Sequence, residues 1–188
     1  MLVDGPEGGR FVQIPPGSSE ENQVAQIVTA RLDPAGAGKI AIREVWRGQE
    51  AASYREEAAT PGQLRDFLEA LGERRFPGAR LTQLRSAQPH ELGPMWVETE
   101  FEAPKLAVLS GDRLALNSTV EPLKLSLRYL TGEERKHDLE LWFPRARICR
   151  IEFILDPCYE VAALPEGTEL NEPFGHFKRE VRQEGKVV

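Results

Sequence analysis

The sequence predicts an α+β fold that is predominantly antiparallel β, with sandwich-like sheets and a short helical insert packed on one of them. Apolar and polar side chains alternate in many short runs, the pattern of strands with one buried face. Only the region from Gln49 to Arg75 has helical composition and spacing. Turns containing Gly and Pro separate the short runs, which favours antiparallel pairing between neighbours in sequence.

The first strands form a predicted hairpin. Alternate residues from Val24 to Leu32 are mostly apolar, and a second strand is expected from Lys39 to Arg47. The segment between them, Asp33 to Gly38, has the residues of a turn. A turn followed by a strand also excludes the phosphate-binding loop that Gly36, Gly38 and Lys39 superficially suggest, because that loop needs a helix after its lysine.

The helical insert is predicted as two helices, Gln49 to Ala59 and Thr60 to Arg75. The second has the clearest start, with Thr60 as N-cap, Pro61 at the first helical position and Gln63 completing a capping box. Its apolar residues recur at helical spacing and should face the sheet. That stripe consists of Leu64, Phe67, Leu68 and Leu71, and the residues expected outside are Arg65, Glu69 and Glu73.

Strands return after Gly78. They are predicted at Arg80–Arg85, Met95–Phe101, Leu106–Leu109, Arg113–Leu116, Leu123–Tyr129 and Leu139–Phe143. A further strand is indicated by the alternation of Cys149, Ile151, Phe153 and Leu155, and an extended run by Phe177 and Val181. These last two runs are expected to form the closing edge of an antiparallel sheet.

Composition limits the classes of function. The 188 residues suit one domain or two small ones, and 40% apolar with 29% charged residues is a globular balance. Net charge is −6 and no Lys/Arg-rich run occurs, so nucleic acid is not an expected partner. The apolar runs are too short for membrane insertion, and the first residues lack the features of a signal peptide.

No arrangement of residues predicts chemistry, so catalytic, cofactor-binding and metal-binding residues are each expected to be absent. His90, His137 and His176 are isolated in sequence. Cys149 and Cys158 are expected to be small, buried or half-buried thiols without an activating base. The acidic residues Glu98, Glu100 and Glu102 share one strand face, which predicts a solvated surface rather than a calcium loop.

A resemblance gives the functional hypothesis. Several motifs resemble the C-terminal region of large bacterial transglutaminase-like proteins, whose cysteine-protease-type catalytic domain lies between β-rich domains of unassigned function. The motifs are, in order, Gly9-Arg10-Phe11-Val12-Gln13-Ile14-Pro15, Arg135-Lys136-His137-Asp138-Leu139, Pro157, Tyr159-Glu160-Val161, Leu164-Pro165-Glu166 and Asn171-Glu172-Pro173-Phe174-Gly175. Cys158 departs from the pattern, because a glycine is expected before the tyrosine.

The resemblance implies a non-catalytic accessory domain whose partner is the upstream catalytic domain of the same polypeptide, with a protein or an envelope polymer as further partners. Residues 1–19 would then be a trailing segment and 20–188 a single β-rich domain, with a subdivision possible near 117–146. The resemblance also implies a periplasmic or cell-surface location. The run from Phe11 to Ile14 and the end from Lys186 to Val188 are expected to pair with the domain's own sheet edge or with another copy.

Two other functions remain open. A small hydrolase or transferase using Cys and His would require side chains distant in sequence to meet in one pocket, with Cys158 beside a histidine. A carbohydrate-binding module would require an exposed aromatic row from Trp46, Trp96 and Trp142, although alternation places Trp46 in the core.

Overall fold

A computed structural model describes residues 2–3, 10–11, 17–57, 60–88, 93–116, 141 and 143–188. The strands are β1 Leu2–Val3, β2 Arg10–Phe11, β3 Gln23–Leu32, β4 Gly38–Trp46, β5 Arg80–Ser86, β6 Met95–Ala103, β7 Ala107–Ser110, β8 Arg113–Leu116, β9 Ala146–Ile154, β10 Thr168–Glu172 and β11 Gly175–Arg179. The helices are α1 Gln49–Glu57 and α2 Pro61–Arg75. The predicted α+β class, mostly antiparallel with a helical insert, is confirmed.

The main element is a five-stranded sheet in the order β5-β6-β4-β3-β9. Strands β5, β6, β4 and β3 pair antiparallel, whereas β9 runs parallel to β3. Three separate antiparallel pairs, β1–β2, β7–β8 and β10–β11, complete the described strands. The predicted hairpins around Asp33–Gly38 and Gly111 are therefore present.

The turn between β3 and β4 is fixed by its own residues. The Asp33 carboxylate accepts hydrogen bonds from the backbone N–H groups of Ala35 and Ala37, at 2.9 and 3.0 Å. Gly36 adopts a φ of 81°, a left-handed conformation that favours glycine. Lys39 then lies on strand β4, so the turn leads into a strand and not into a helix, as the turn interpretation predicted.

Helix α2 begins as predicted, because the Thr60 hydroxyl accepts a hydrogen bond from the Gln63 N–H. Leu64, Leu68 and Leu71 are buried against the sheet, while Arg65, Glu69 and Glu73 are exposed. Phe67 is only half-buried, which corrects the predicted stripe. It lies edge-on to Tyr54 of α1, with ring centroids 5.9 Å apart, at the margin of the core.

Strand β5 contains an irregularity that a strict alternation would not predict. Its register against β6 shifts between Leu81 and Gln83. The extra residue, Thr82, donates its hydroxyl to the Glu100 carbonyl at 3.0 Å. The bulge puts Leu84 on the same face as Leu81, three residues earlier, so both can pack on the helices.

The predicted closing edge at the C-terminal end is wrong. Strand β9 pairs with β3, and the run containing Phe177 pairs instead with β10, a strand that was not predicted. The outer edge of β9 is extended by the last residues, where the N–H groups of Phe153 and Val188 each donate to the other's carbonyl, at 2.7 and 3.0 Å. Pairing of this end with the sheet edge is therefore confirmed.

Some predictions fall outside the described residues. These are the strand Leu123–Tyr129, the motif Arg135–Leu139, most of the run Phe11–Ile14, and residues His90, His137 and Trp142. Of the predicted strand Leu139–Phe143, only Leu141 and Phe143 are described, and neither lies in a strand. In the described ranges, no helix has the length and apolar character needed to cross a membrane.

Candidate functional site

The two faces of the five-stranded sheet have different roles. The helices cover one face, where alternate residues such as Val28, Ile42 and Val97 are buried. The opposite face carries the intervening residues and is open. We call it the open face, and its members are Ala25, Ile27, Thr29, Arg31, Lys39, Ala41, Arg43, Val45, Arg80, Gln83, Arg85, Trp96, Glu98, Glu100, Glu102, Ile148, Arg150, Glu152 and Ile154.

A polar cluster interrupts the covered face and was not predicted. Gln26 Nε2 donates to Glu44 Oε1 at 2.6 Å, and Arg75, the last residue of α2, contacts the same oxygen at 2.9 Å. The Arg75 and Glu44 side chains are only 6% and 4% exposed. Because the ion pair is buried between helix and sheet, it fixes the end of α2 rather than offering charges to a substrate. The sequence does contain one sign of this cluster. Glu44 occupies a position of β4 where the alternation calls for an apolar residue, and it lies directly opposite Gln26.

The two cysteines are exposed and are not joined in a disulfide, which corrects the prediction of buried or half-buried side chains. Cys149 extends the polar cluster to β9, because its Sγ lies 3.1 Å from Gln26 Oε1. Cys158 lies in a turn after β9, and its backbone N–H donates to Asp156 Oδ1 at 3.0 Å. The hydrogen bond between the Cys158 and Asp156 side chains raises the pKa of the thiol, which is the opposite of nucleophile activation.

This pairing has a measurable consequence. The Asp156→Asn substitution should lower the pKa of Cys158, because it removes the carboxylate that stabilises the protonated thiol. We expect faster alkylation of Cys158 by iodoacetamide at pH 8, followed by mass spectrometry over a pH series. Cys149 in the same sample is the internal control and should react at an unchanged rate. An unchanged rate at Cys158 would contradict the assigned cause.

The described histidine does not meet a cysteine. His176 Nε2 on β11 lies 3.1 Å from Glu169 Oε1 on β10, both exposed. In the part of the chain that the structure describes, no three side chains of His, Cys, Asp or Glu converge in a way that could hold a metal. Trp46 is buried against Tyr54, with ring centroids 4.0 Å apart, whereas Trp96 lies on the open face. These two residues therefore cannot belong to one sugar-stacking row.

The open face is a mixed surface with a shallow depression. Cross-strand ion pairs join Arg43 to Glu98 at 3.3 Å and Arg80 to Glu102 at 3.1 Å. The predicted row Glu98, Glu100 and Glu102 thus lies on a solvated face. Small residues, Thr29 and Ala41, are among those that line a concavity of about 270 Å³. Two large apolar side chains are nevertheless exposed on this face, Ile27 by 49% and Ile148 by 55%. Ile27 lies between Arg43 and Arg150, and Ile148 lies beside Ala25.

A larger concavity, of about 690 Å³, lies where the β3–β4 turn meets the loop after α2. Arg31, Lys39 and Arg80 line it, together with Asp33 and Glu102. Glu102 forms ion pairs with both Lys39 and Arg80, at 3.7 and 3.1 Å. Because these two cations already face a carboxylate, the concavity has the character of an ion-pair network rather than of an anion site.

The β10–β11 hairpin is highly exposed, since every residue of its two strands except the half-buried Thr168 is exposed. Leu170 and Phe177 are directly paired and are 56% and 46% exposed, and Phe174 in the turn is 80% exposed. Large apolar side chains concentrated on an exposed element mark a contact surface more often than scattered ones do.

Comparison with protein-family models, with curated proteins and with solved structures finds no match for this chain. The fold and the two exposed surfaces are therefore the basis on which its class of function is argued.

Proposed function

We propose that this chain is a non-catalytic interaction domain, accessory to a transglutaminase-like catalytic domain that it supports or positions. The observation that carries this proposal is the open face of the five-stranded sheet. In an antiparallel sheet one uncovered face is ordinarily polar. Here that face instead presents Ile27 and Ile148, which are about half exposed.

The composition of the open face favours a protein as the ligand. Its six basic side chains alternate with four glutamates, so no single sign of charge extends across it. A polyanion such as nucleic acid, or an anionic envelope polymer, is bound by clustered unpaired cations. An apolar area bordered by ion-paired residues instead matches the anatomy of protein interfaces.

The resemblance to transglutaminase-like proteins supplies the identity of the partner. Two of its motifs occupy defined positions in this fold. The Tyr159 hydroxyl donates to the Pro34 carbonyl at 2.6 Å and so ties the end of β9 to the β3–β4 turn. Asn171 to Gly175 form the tip of the β10–β11 hairpin. The resembling residues therefore include both a tertiary contact and an exposed turn.

The test measures association with the catalytic domain that the resemblance implies. The full reading frame is sequenced, the domain upstream of residue 20 is expressed separately, and its binding to this chain is measured by calorimetry. The Ile148→Glu substitution should weaken binding by about 10-fold or more, because Ile148 is 55% exposed beside Ala25 and the change places a charge in an apolar part of the interface. Val108→Glu is the matched control, since Val108 is 71% exposed on β7, which is not part of the five-stranded sheet.

A second measurement separates support from simple binding. The melting temperature and turnover of the catalytic domain are compared with and without this chain. Higher values with it would favour the support role. Identical melting temperatures and turnover with and without this chain, together with no association of the two separate domains, would contradict the proposal.

A further inference from the structure

The β10–β11 hairpin has one apolar and one polar side. The residues opposite one another in the hairpin are Thr168 and Arg179, Glu169 and Lys178, Leu170 and Phe177, Asn171 and His176, and Glu172 and Gly175. Side chains alternate along each strand, so Leu170 and Phe177 share a side with Thr168, Arg179 and Glu172. The other side carries Glu169, Asn171, His176 and Lys178, all polar. We call the first the apolar side of the hairpin.

The apolar side is not covered by the residues that the structure describes. Every residue of β11 is exposed, and so is every residue of β10 except the half-buried Thr168. An isolated two-stranded hairpin is marginally stable in water, and uncovered aromatic surface favours association. Phe174, in the turn, extends this apolar surface beyond the paired residues. We therefore expect another molecule to bind the apolar side of the hairpin.

The charges of the apolar side are arranged so that it complements itself. Glu172 lies two residues from Leu170 towards the turn, and Arg179 lies two residues from Phe177 towards the base. When two copies pack face to face, a two-fold axis in the plane of the interface along the Leu170–Phe177 pair sets Glu172 of one copy over Thr168 of the other, beside Arg179, and it does so twice. Arg179 donates to the Glu166 carbonyl at 2.9 Å and to the Thr168 hydroxyl at 3.3 Å, and these two contacts hold the guanidinium at the base of the hairpin.

We propose that a second copy of this chain binds the apolar side of the hairpin, giving a two-fold dimer with Leu170 and Phe177 at its centre and two Glu172–Arg179 ion pairs at its margins. The same surface on both copies is what a two-fold interface requires. The dimer uses a surface separate from the open face, so it does not depend on the proposed function. A single hairpin is small, so the association is of the weak, concentration-dependent kind.

Charge also argues against a membrane as the occupant. Between residues 166 and 180 the hairpin carries four glutamates against Lys178 and Arg179, and the whole chain has a net charge of −6. Anionic lipid surfaces attract clustered cations, which this hairpin does not offer. Uncharged vesicles of phosphatidylcholine and vesicles containing phosphatidylserine serve as controls in the test.

The first experiment is sedimentation equilibrium of the whole chain at concentrations up to about 1 mM, where a dimer with a dissociation constant of about 1 mM is detected. We expect a monomer–dimer equilibrium. Phe177→Glu should weaken it by about 10-fold or more, since it buries a charge at the centre. Val108→Glu, an equally drastic change on another exposed strand, should leave the equilibrium unchanged.

The second experiment reverses the marginal charges. Glu172→Arg and Arg179→Glu should each weaken the dimer, because each sets like charges together. An equimolar mixture of the two variants should associate at least as well as the wild type, since both cross-contacts are then attractive. Arg179→Glu also removes the hydrogen bonds that Arg179 makes within its own hairpin, and mixing the variants does not restore them. Recovery of association in the mixture therefore reports a contact between the two copies.

A wild-type chain that stays monomeric throughout the concentration range would overturn the proposal, as would a mixture that fails to associate. Sedimentation of the chain with either kind of vesicle, lost in Phe177→Glu, would assign the apolar side to a lipid surface instead. Far-ultraviolet circular dichroism of each variant confirms that the fold is retained.

Discussion

Replacing Glu44 with alanine is expected to lower the free energy of unfolding by about 3–5 kcal/mol, because it leaves the buried guanidinium of Arg75 without its carboxylate. The same change removes the acceptor of the Gln26 amide. The measurement is urea denaturation followed by tryptophan fluorescence, with the unfolding slope checked for two-state behaviour.

Glu98→Ala is the matched control for Glu44→Ala. Glu98 also pairs with an arginine, Arg43, and lies on β6, the strand next to β4. This pair is on the open face, where the Arg43 side chain is 60% exposed and the Glu98 side chain 38%. An exposed pair of this kind contributes about 1 kcal/mol or less. Equal losses for the two variants would show that burial of the Glu44–Arg75 pair is not what matters.

Leu68→Ala is expected to lower the free energy of unfolding by about 2–5 kcal/mol, because it opens a cavity between α2 and the sheet. Leu68 is among the most completely buried large side chains that the structure describes. Phe67→Ala is the comparison and should cost less. From the sequence alone Phe67 would be assigned about 3–5 kcal/mol as a buried aromatic, but its ring lies at the core margin. A larger loss for Phe67 than for Leu68 would contradict the packing described.

Local elements could be predicted because their determinants are local. The Thr60 cap, the turn at Asp33 and the alternation in β3, β4 and β6 each depend on residues within a few positions of one another. The hairpin β10–β11 was missed because Leu170 and Phe177 are the only apolar pair across it and both are exposed, so no alternating apolar face marks its strands.

The remaining features depend on contacts between distant residues. Nothing near Cys149 in the sequence specifies that β9 lies parallel to β3, since the choice of partner strand is made by tertiary packing. The cluster of Gln26, Glu44 and Arg75 likewise combines two strands and a helix end. The bulge at Thr82 depends on the register with β6. The resemblance to transglutaminase-like proteins stays a hypothesis for experiment.

The parallel placement of β9 has a consequence for how the chain folds. Gln26 and Cys149, which face each other across β3 and β9, are 123 residues apart. The β3–β4 and β5–β6 pairs close much shorter loops, so they should form first, while β9 joins late. Until it does, β3 is the edge of the sheet and presents ten residues of unpaired backbone. During synthesis the nascent chain therefore carries an unpaired strand edge on β3 until residues 146–154, more than a hundred positions further along the chain, have been made.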